Sequence, residues 1–179
     1  MIRHAVKNDV KNIIKIIDKI IVEMDSYENN QWDKDYPREK HFLNDIEKNS
    51  LFICEREGKI AGFLCVNRLQ LDEYNTLKWS TDENFMAVHR VAVNPECRRM
   101  GVGSELLEFA EEYALENNVK YLKTDTHSLN TKMSNLFTKF DYDFVGEIKI
   151  PGKEKPFYCY EKVLDESEFE RRIDFRREA

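Results

Sequence analysis

The sequence predicts a mixed α/β fold in which a central sheet carries helices on both faces. Three observations predict it. A short N-terminal strand leads into a four-turn amphipathic helix; hairpin-like strand pairs stand near both ends; and between them strand, helix, strand and helix alternate. The 179 residues are one domain's worth of chain. Residues 1–164 read as a single domain. Residues 165–179 form a charged tail in which Phe169 and Ile173, and Glu168 and Arg172, have helical spacing.

The elements follow in order. Met1 to Val6 alternates weakly and is short, which suits a strand. Asn8 or Asp9 offers an N-cap. Val10, Ile13, Ile14, Ile17, Ile20, Ile21 and Met24 then mark one helical face. Asp25 to Tyr36 is polar, with Tyr27, Trp32 and Tyr36 interleaved, and reads as a loop or lid. Pro37 suits the first turn of a second helix, whose short apolar face is Phe42, Leu43 and Ile46. Leu51–Glu55 and Lys59–Asn67 flank a tight Glu57-Gly58 turn, a hairpin. Phe85–Val93 reads as a buried central strand. After Asn94-Pro95 and two glycines comes a helix with Leu106, Leu107, Ala110 and Ala114 inward. Tyr121–Thr126 is a strand, and Met133, Leu136, Phe137 and Phe140 give Asn130–Phe140 a helical face. Phe144–Ile150 and Phe157–Leu164 close the domain as a hairpin.

Composition excludes several classes. Lys and Arg total 28 against 34 Asp and Glu, a formal charge of −6. Such a surface is a poor general match for nucleic-acid phosphates and better suited to a cationic partner. The apolar stretch Ile13–Met24 is broken by Lys15, Asp18, Lys19 and Glu23, so neither a membrane span nor a signal-peptide core is expected there. Cys54, Cys65, Cys97 and Cys159 are scattered without a CxxC or Cys/His cluster. They read as reduced thiols of a cytoplasmic protein with no metal site.

The most informative stretch runs from His89 to Ser104. A buried strand enters a loop, and a helix begins at Gly101-Val102-Gly103. The first amides of a helix have no intrahelical acceptor, and the helix dipole adds partial positive charge, so this junction is an anion site. Glycine lets a phosphate approach the chain, and Arg98 and Arg99 stand beside it. Two of the six glycines in the chain sit here. Leu106 breaks a Rossmann G-x-G-x-x-G, and the lysine of a P-loop is missing.

Residues 85–142 resemble the GCN5-related N-acetyltransferase (GNAT) superfamily. Val91-Ala-Val93 ends the strand, and Arg98-Arg-Met-Gly101-Val-Gly103 stands where the family has Arg/Gln-x-x-Gly-x-Gly/Ala. The order of elements over residues 1–164 fits as well. The resemblance implies the acyl-CoA N-acyltransferase fold, with a mostly antiparallel sheet of about seven strands. It implies acetyl transfer from acetyl-CoA to an amine. It places the diphosphate on amides around Arg99, Gly101, Val102, Gly103 and Ser104, with Arg98 beside them. It places the pantetheine arm along the backbone of Val91 and Val93 and against Asn130. Many members carry Tyr-x-x-x-Gly-Phe in the last helix, where the Tyr protonates the departing thiolate. Here the stretch begins at Phe137, and Asp141 replaces the glycine. Phe137 then serves as a wall against the arm or as plain core, and Tyr142 or water remains as a proton source.

Acetyl transfer needs a proton acceptor for the attacking ammonium. His89 is the first candidate: strand alternation puts residues 89, 91 and 93 on one face, and imidazole titrates near neutrality. It also reads as a core histidine bonded within the sheet. Asp125, at the end of the next strand, is the second catalytic candidate; it could also cap the following turn. His127 reads as a loop residue, and Asp82 and Glu83 as a solvated turn. Tyr27, Trp32, Tyr36, Tyr74 and Trp79 fall in segments that would flank the acceptor. The function expected is N-acetylation of a small-molecule primary amine by direct attack in a ternary complex, in a monomer or homodimer. The alternative is a non-catalytic acyl-CoA sensor of the same fold, which Phe137 favours.

Overall fold

The computed structural model describes residues 1–81, 84–165 and 167. The solvated turn expected at Asp82 and Glu83 and the helix expected in the tail lie outside the described residues. The elements are β1 (Ile2–His4), α1 (Val10–Asp25), α2 (Glu39–Glu47), β2 (Leu51–Arg56), β3 (Lys59–Asn67), β4 (Met86–Val93), α3 (Val102–Glu116), β5 (Tyr121–His127), α4 (Thr131–Lys139), β6 (Asp143–Ile148) and β7 (Phe157–Val163). They build one seven-stranded sheet in the order β1-β2-β3-β4-β5-β7-β6. Only the β4–β5 pair is parallel among the six pairings. No described helix is long and apolar enough to cross a membrane.

Apolar periodicity decides which face each helix buries. Val10, Ile13, Ile16, Ile17, Ile20 and Met24 of α1 pack with Phe42 of α2 against Ile53, Phe63, Cys65 and Ala92 on one side of the sheet. Leu106, Leu107, Ala110 and Ala114 of α3 and Phe137 of α4 cover Phe52, Leu64, Val88 and Leu122 on the other. Two local expectations shift. Asp9 does not cap α1 with its side chain; it accepts from the Val6 amide at 2.8 Å and pairs with Arg3, closing a 3-10 turn one step earlier. Pro37 lies ahead of α2, where the His41 ring accepts the Arg38 amide at 2.9 Å and sets the helix start. Burying these two faces supplies the main driving force for folding.

The segment before β4 holds a 3-10 turn at Asp72–Thr76 that buries Tyr74. With Ile148, Phe157 and Cys159, Tyr74 forms a third apolar cluster at one end of the sheet.

Gly62 sets how closely α3 approaches the sheet. A Cβ there would lie 2.7 Å from the Ala92 carbonyl oxygen, 2.8 Å from Val102 and 3.0 Å from Leu106. Only a residue without a side chain lets the first turn of α3 settle beside β3 and β4. Gly62→Ala is therefore expected to lower stability by about 1–3 kcal/mol through overpacking. Urea unfolding measures this, and an unchanged midpoint would contradict the packing described.

Candidate active site

The site begins where β4 and β5 part. Their pairing covers Met86↔Leu122, Ala87↔Lys123 and Val88↔Thr124. At the fork the Thr124 hydroxyl donates to the Val88 carbonyl at 2.9 Å. Beyond it β5 continues with β7 alone, through Asp125↔Cys159 and Thr126↔Tyr158. The β4 edge facing the gap is left without a strand partner there.

A β-bulge in β4 deepens the break. Phe63 pairs with Ala92 but Cys65 with His89, so β4 carries one extra residue. Arg90 takes it up with a left-handed φ of 50°. The bulge overturns the alternation expected from the sequence. His89 stands opposite Cys65 on the α1/α2 face, whereas Val91 and Val93 pack toward α3 and α4. His89 Nε2 donates to the Leu69 carbonyl at 3.0 Å. Burial, helped by the Arg90 charge, lowers its pKa to about 4.

An outer cleft of about 530 Å³ opens beside the gap. Its walls include Val91, Val93, Arg98, Arg99, Gly101, Val102, Gly103, Ser104 and Asn130, nine of the ten residues expected to bind the cofactor. The tenth, Phe137, lines a narrow inner recess of about 30 Å³ together with Asp125, Arg90, Thr124 and Thr126. Met24, Trp32, Val91, Asn130 and Met133 line both spaces and join them. His89 lines neither.

The start of α3 has the geometry that suits an anion. Gly101, at φ 76°, is the N-cap of the helix and, having no side chain, leaves its first turn without the usual cap. By contrast Asn130 caps α4, its side chain accepting from the Met133 amide at 3.3 Å. The free donors of α3 are therefore available to a ligand. A diphosphate fits this cradle: small residues, unclaimed amides and two arginines meet in one wall. Glu23 of α1, not singled out in the sequence, faces the cradle and receives Arg98 and also Lys132, the latter at 2.7 Å. Burial would raise the Glu23 carboxyl, but these two partners hold it below its ordinary range.

Asp125 closes the inner end. The Tyr74 hydroxyl donates to its Oδ2 at 2.6 Å, and Trp79 Nε1 donates to the Tyr74 carbonyl at 2.8 Å. Burial raises the Asp125 carboxyl to about 6, against the smaller opposing effect of the Tyr74 bond. Tyr142, which the sequence left as a proton source, is in the core against Phe137 and lines neither space.

The lid is stitched to β5 and α4. Gln31 Oε1 lies 3.4 Å from Thr126 Oγ1, the His127 amide and Asn130 Nδ2. Lys153 binds the Asn30 carbonyl at 2.5 Å and Asp33 at 2.9 Å. His127, expected in a surface loop, is fully buried. Its Nε2 donates to Asn30 Oδ1 at 3.2 Å, while its Nδ1 accepts from the Leu129 amide. Of the lid aromatics, Tyr27 and Trp32 face the outer cleft, and the Tyr36 ring lies by the Arg90 guanidinium, 5.7 Å from centroid to Cζ.

The profile of the acetyltransferase (GNAT) family matches residues 17–142, and the chain belongs to that family, whose co-substrate is acetyl-CoA. An uncharacterized N-acetyltransferase of Archaeoglobus fulgidus is 26% identical over 119 residues, covering 66% of this chain and 76% of that one. A GNAT-family acetyltransferase from Streptococcus agalactiae superposes with a TM-score of 0.81 at 22% identity, over 92% of this chain and 95% of its own. The YncA protein of Salmonella typhimurium, solved with its cofactor acetyl-CoA, gives a TM-score of 0.67 at 16% identity, over 92% and 94%.

A buried acid with a raised pKa makes a signed contribution to stability. The Asp125 carboxyl holds its proton more tightly in the folded chain than at its ordinary value of 3.8, so its contribution falls as pH rises from about 4 through 6. His89 does the reverse over much the same window, because folding favours its neutral form. Asp125→Asn removes only the first effect. The stability of this variant relative to wild type is expected to climb by on the order of 3 kcal/mol between pH 4 and pH 7. Parallel pH–stability curves in urea would contradict the buried placement of Asp125.

Proposed function

We propose that the protein moves an acetyl group from acetyl-CoA to the primary amine of a small molecule, by direct attack in a ternary complex. The observation that carries this is the continuity of the outer cleft, with its unclaimed α3 amides, and the recess that ends at Asp125. Amides of Val102, Gly103 and Ser104, with Arg98 and Arg99, would hold the diphosphate. The open β4 edge at Val91 and Val93, with Asn130, would hold the pantetheine arm. Acetyl-CoA supplies the activated acyl group.

This chain's own residues do the rest. Trp32 and Met24 wall the junction of the two spaces, and Phe137 walls the recess behind it. Asp125 accepts the proton that the attacking ammonium must lose. With a pKa of about 6 it is ionised at neutral pH yet still basic enough for the task. Tyr74 orients its carboxylate. His89 is bonded to a backbone carbonyl, has a depressed pKa and faces away from the recess, so the base role passes to Asp125. Phe137 has no proton to give, and the open mouth of the outer cleft lets water protonate the departing thiolate.

The test is thiol release from acetyl-CoA across a panel of primary amines. Asp125→Asn is expected to lower kcat/KM by ~10²–10⁴-fold with coenzyme A affinity unchanged. His89→Gln should leave turnover largely intact. In the wild type the rate should fall as pH drops through about 6, as Asp125 takes up its proton. Coenzyme A binding without turnover of any amine would favour the sensor reading instead.

A further inference from the structure

The inner recess holds a second charged residue that this chemistry does not use. Arg90 lines it with Asp125. Its backbone is held at φ 50°, a region that residues other than glycine seldom occupy. Such strain persists where the surrounding structure requires it, and it clusters at ligand sites. Here the bulge swings the arginine to the side of the fork where α2 and the lid meet.

The environment of the guanidinium is incomplete. Asp45 of α2 takes only one nitrogen, Nη2, at 3.1 Å from each of its oxygens. The side chains are 15% and 4% exposed, so the pair is largely desolvated. Nε is buried and has no hydrogen-bond partner among the described residues. A guanidinium offers five N–H donors in a planar fork. A counter-ion for Asp45 alone would not require that an inner donor be left dry and unmatched. Tyr36, on the lid, packs its ring by the same guanidinium, and its hydroxyl is within electrostatic reach of Arg90, Asp125 and Asp45. His41 also feels the Arg90 charge, and its ring packs edge-on against Tyr36.

We infer that Arg90 is the specificity-determining residue for the acceptor, and that the acceptor is an amino acid or a similar small molecule bearing a carboxylate beside its primary amine. The inference rests on the acetyl-transfer reading and names the substrate class for that same site. The recess, at about 30 Å³, admits little more than the reacting atoms. The amine end therefore enters toward Asp125, while the carboxylate stays on the side of Arg90 and Tyr36. Asp125 meets the ammonium; the guanidinium donors that Asp45 does not take meet the carboxylate. A carboxylate is the planar partner that this fork fits best. Asp45 positions the fork by holding Nη2 from behind.

The experiment needs no variant for its first arm. Thiol release from acetyl-CoA is measured with L-α-amino acids, and for each with its carboxamide and its decarboxylated amine. The carboxylate-bearing compounds should show kcat/KM at least tenfold higher than either analogue. In the second arm Arg90→Lys keeps the charge beside Asp45 but loses the planar fork, and Arg90→Gln/Asp45→Asn removes the pair together. Both should raise KM for the amino acids at least tenfold, leave KM for acetyl-CoA unchanged, and erase the preference over the carboxamide. Turnover of amines with no preference for a carboxylate, or a preference that survives both variants, overturns the inference while the acetyl-transfer reading stands. Coenzyme A binding with no turnover in any arm overturns the acetyl-transfer reading, and the inference with it.

Discussion

The separation of β4 from β5 beyond Val88 and Thr124 is the constraint on which the site depends. A parallel pair normally continues its ladder, because every unpaired main-chain group in a sheet interior is costly. Here the ladder stops after three residue pairs. The Thr124 hydroxyl satisfies the Val88 carbonyl at the fork, and the bulge at Arg90 turns the rest of β4 away. Beyond the fork, a β4 edge and the start of α3 are both left with main-chain donors to satisfy. A ligand with amide groups along one stretch and phosphates at its end can satisfy both at once.

Charge is distributed to suit this. The chain is acidic overall, with a net charge of −6, yet the outer cleft gathers Arg98, Arg99 and Lys132. Glu23 offsets part of that charge. Ion pairs this exposed contribute little to stability, so they leave the cations available to a stronger anion. The inner recess is different in kind. Asp125 and Arg90 are partly desolvated there, and each has a strong protein partner, Tyr74 and Asp45 respectively. Low local dielectric strengthens whatever they contact.

Much of this was legible in the sequence because it rests on local rules. The isoleucine spacing of α1, the Glu57-Gly58 hairpin turn and the Arg-x-x-Gly-x-Gly loop each have a short-range physical cause, and each stands where expected. The helix start behind Gly101 was legible for the same reason. The bulge was not. An arginine in a run of alternating apolar residues carries no mark of a left-handed φ, so His89 was placed on the wrong face. Tyr74 could not be matched to Asp125 either, since 51 residues separate them and only the sheet brings them together. The buried His127 and the Gln31 contacts likewise arise from a lid crossing over β5, a tertiary event with no local sign.

Under the proposed function, main-chain donors at the start of α3 grip the diphosphate of the thioester carrier. Calorimetric titration with coenzyme A and, in parallel, with pantetheine, which lacks the phosphates, tests it most directly. Coenzyme A is expected to bind at least a hundredfold more tightly, and raising the salt concentration to narrow the gap. Equal affinity for the two, or no affinity for coenzyme A at all, would contradict it.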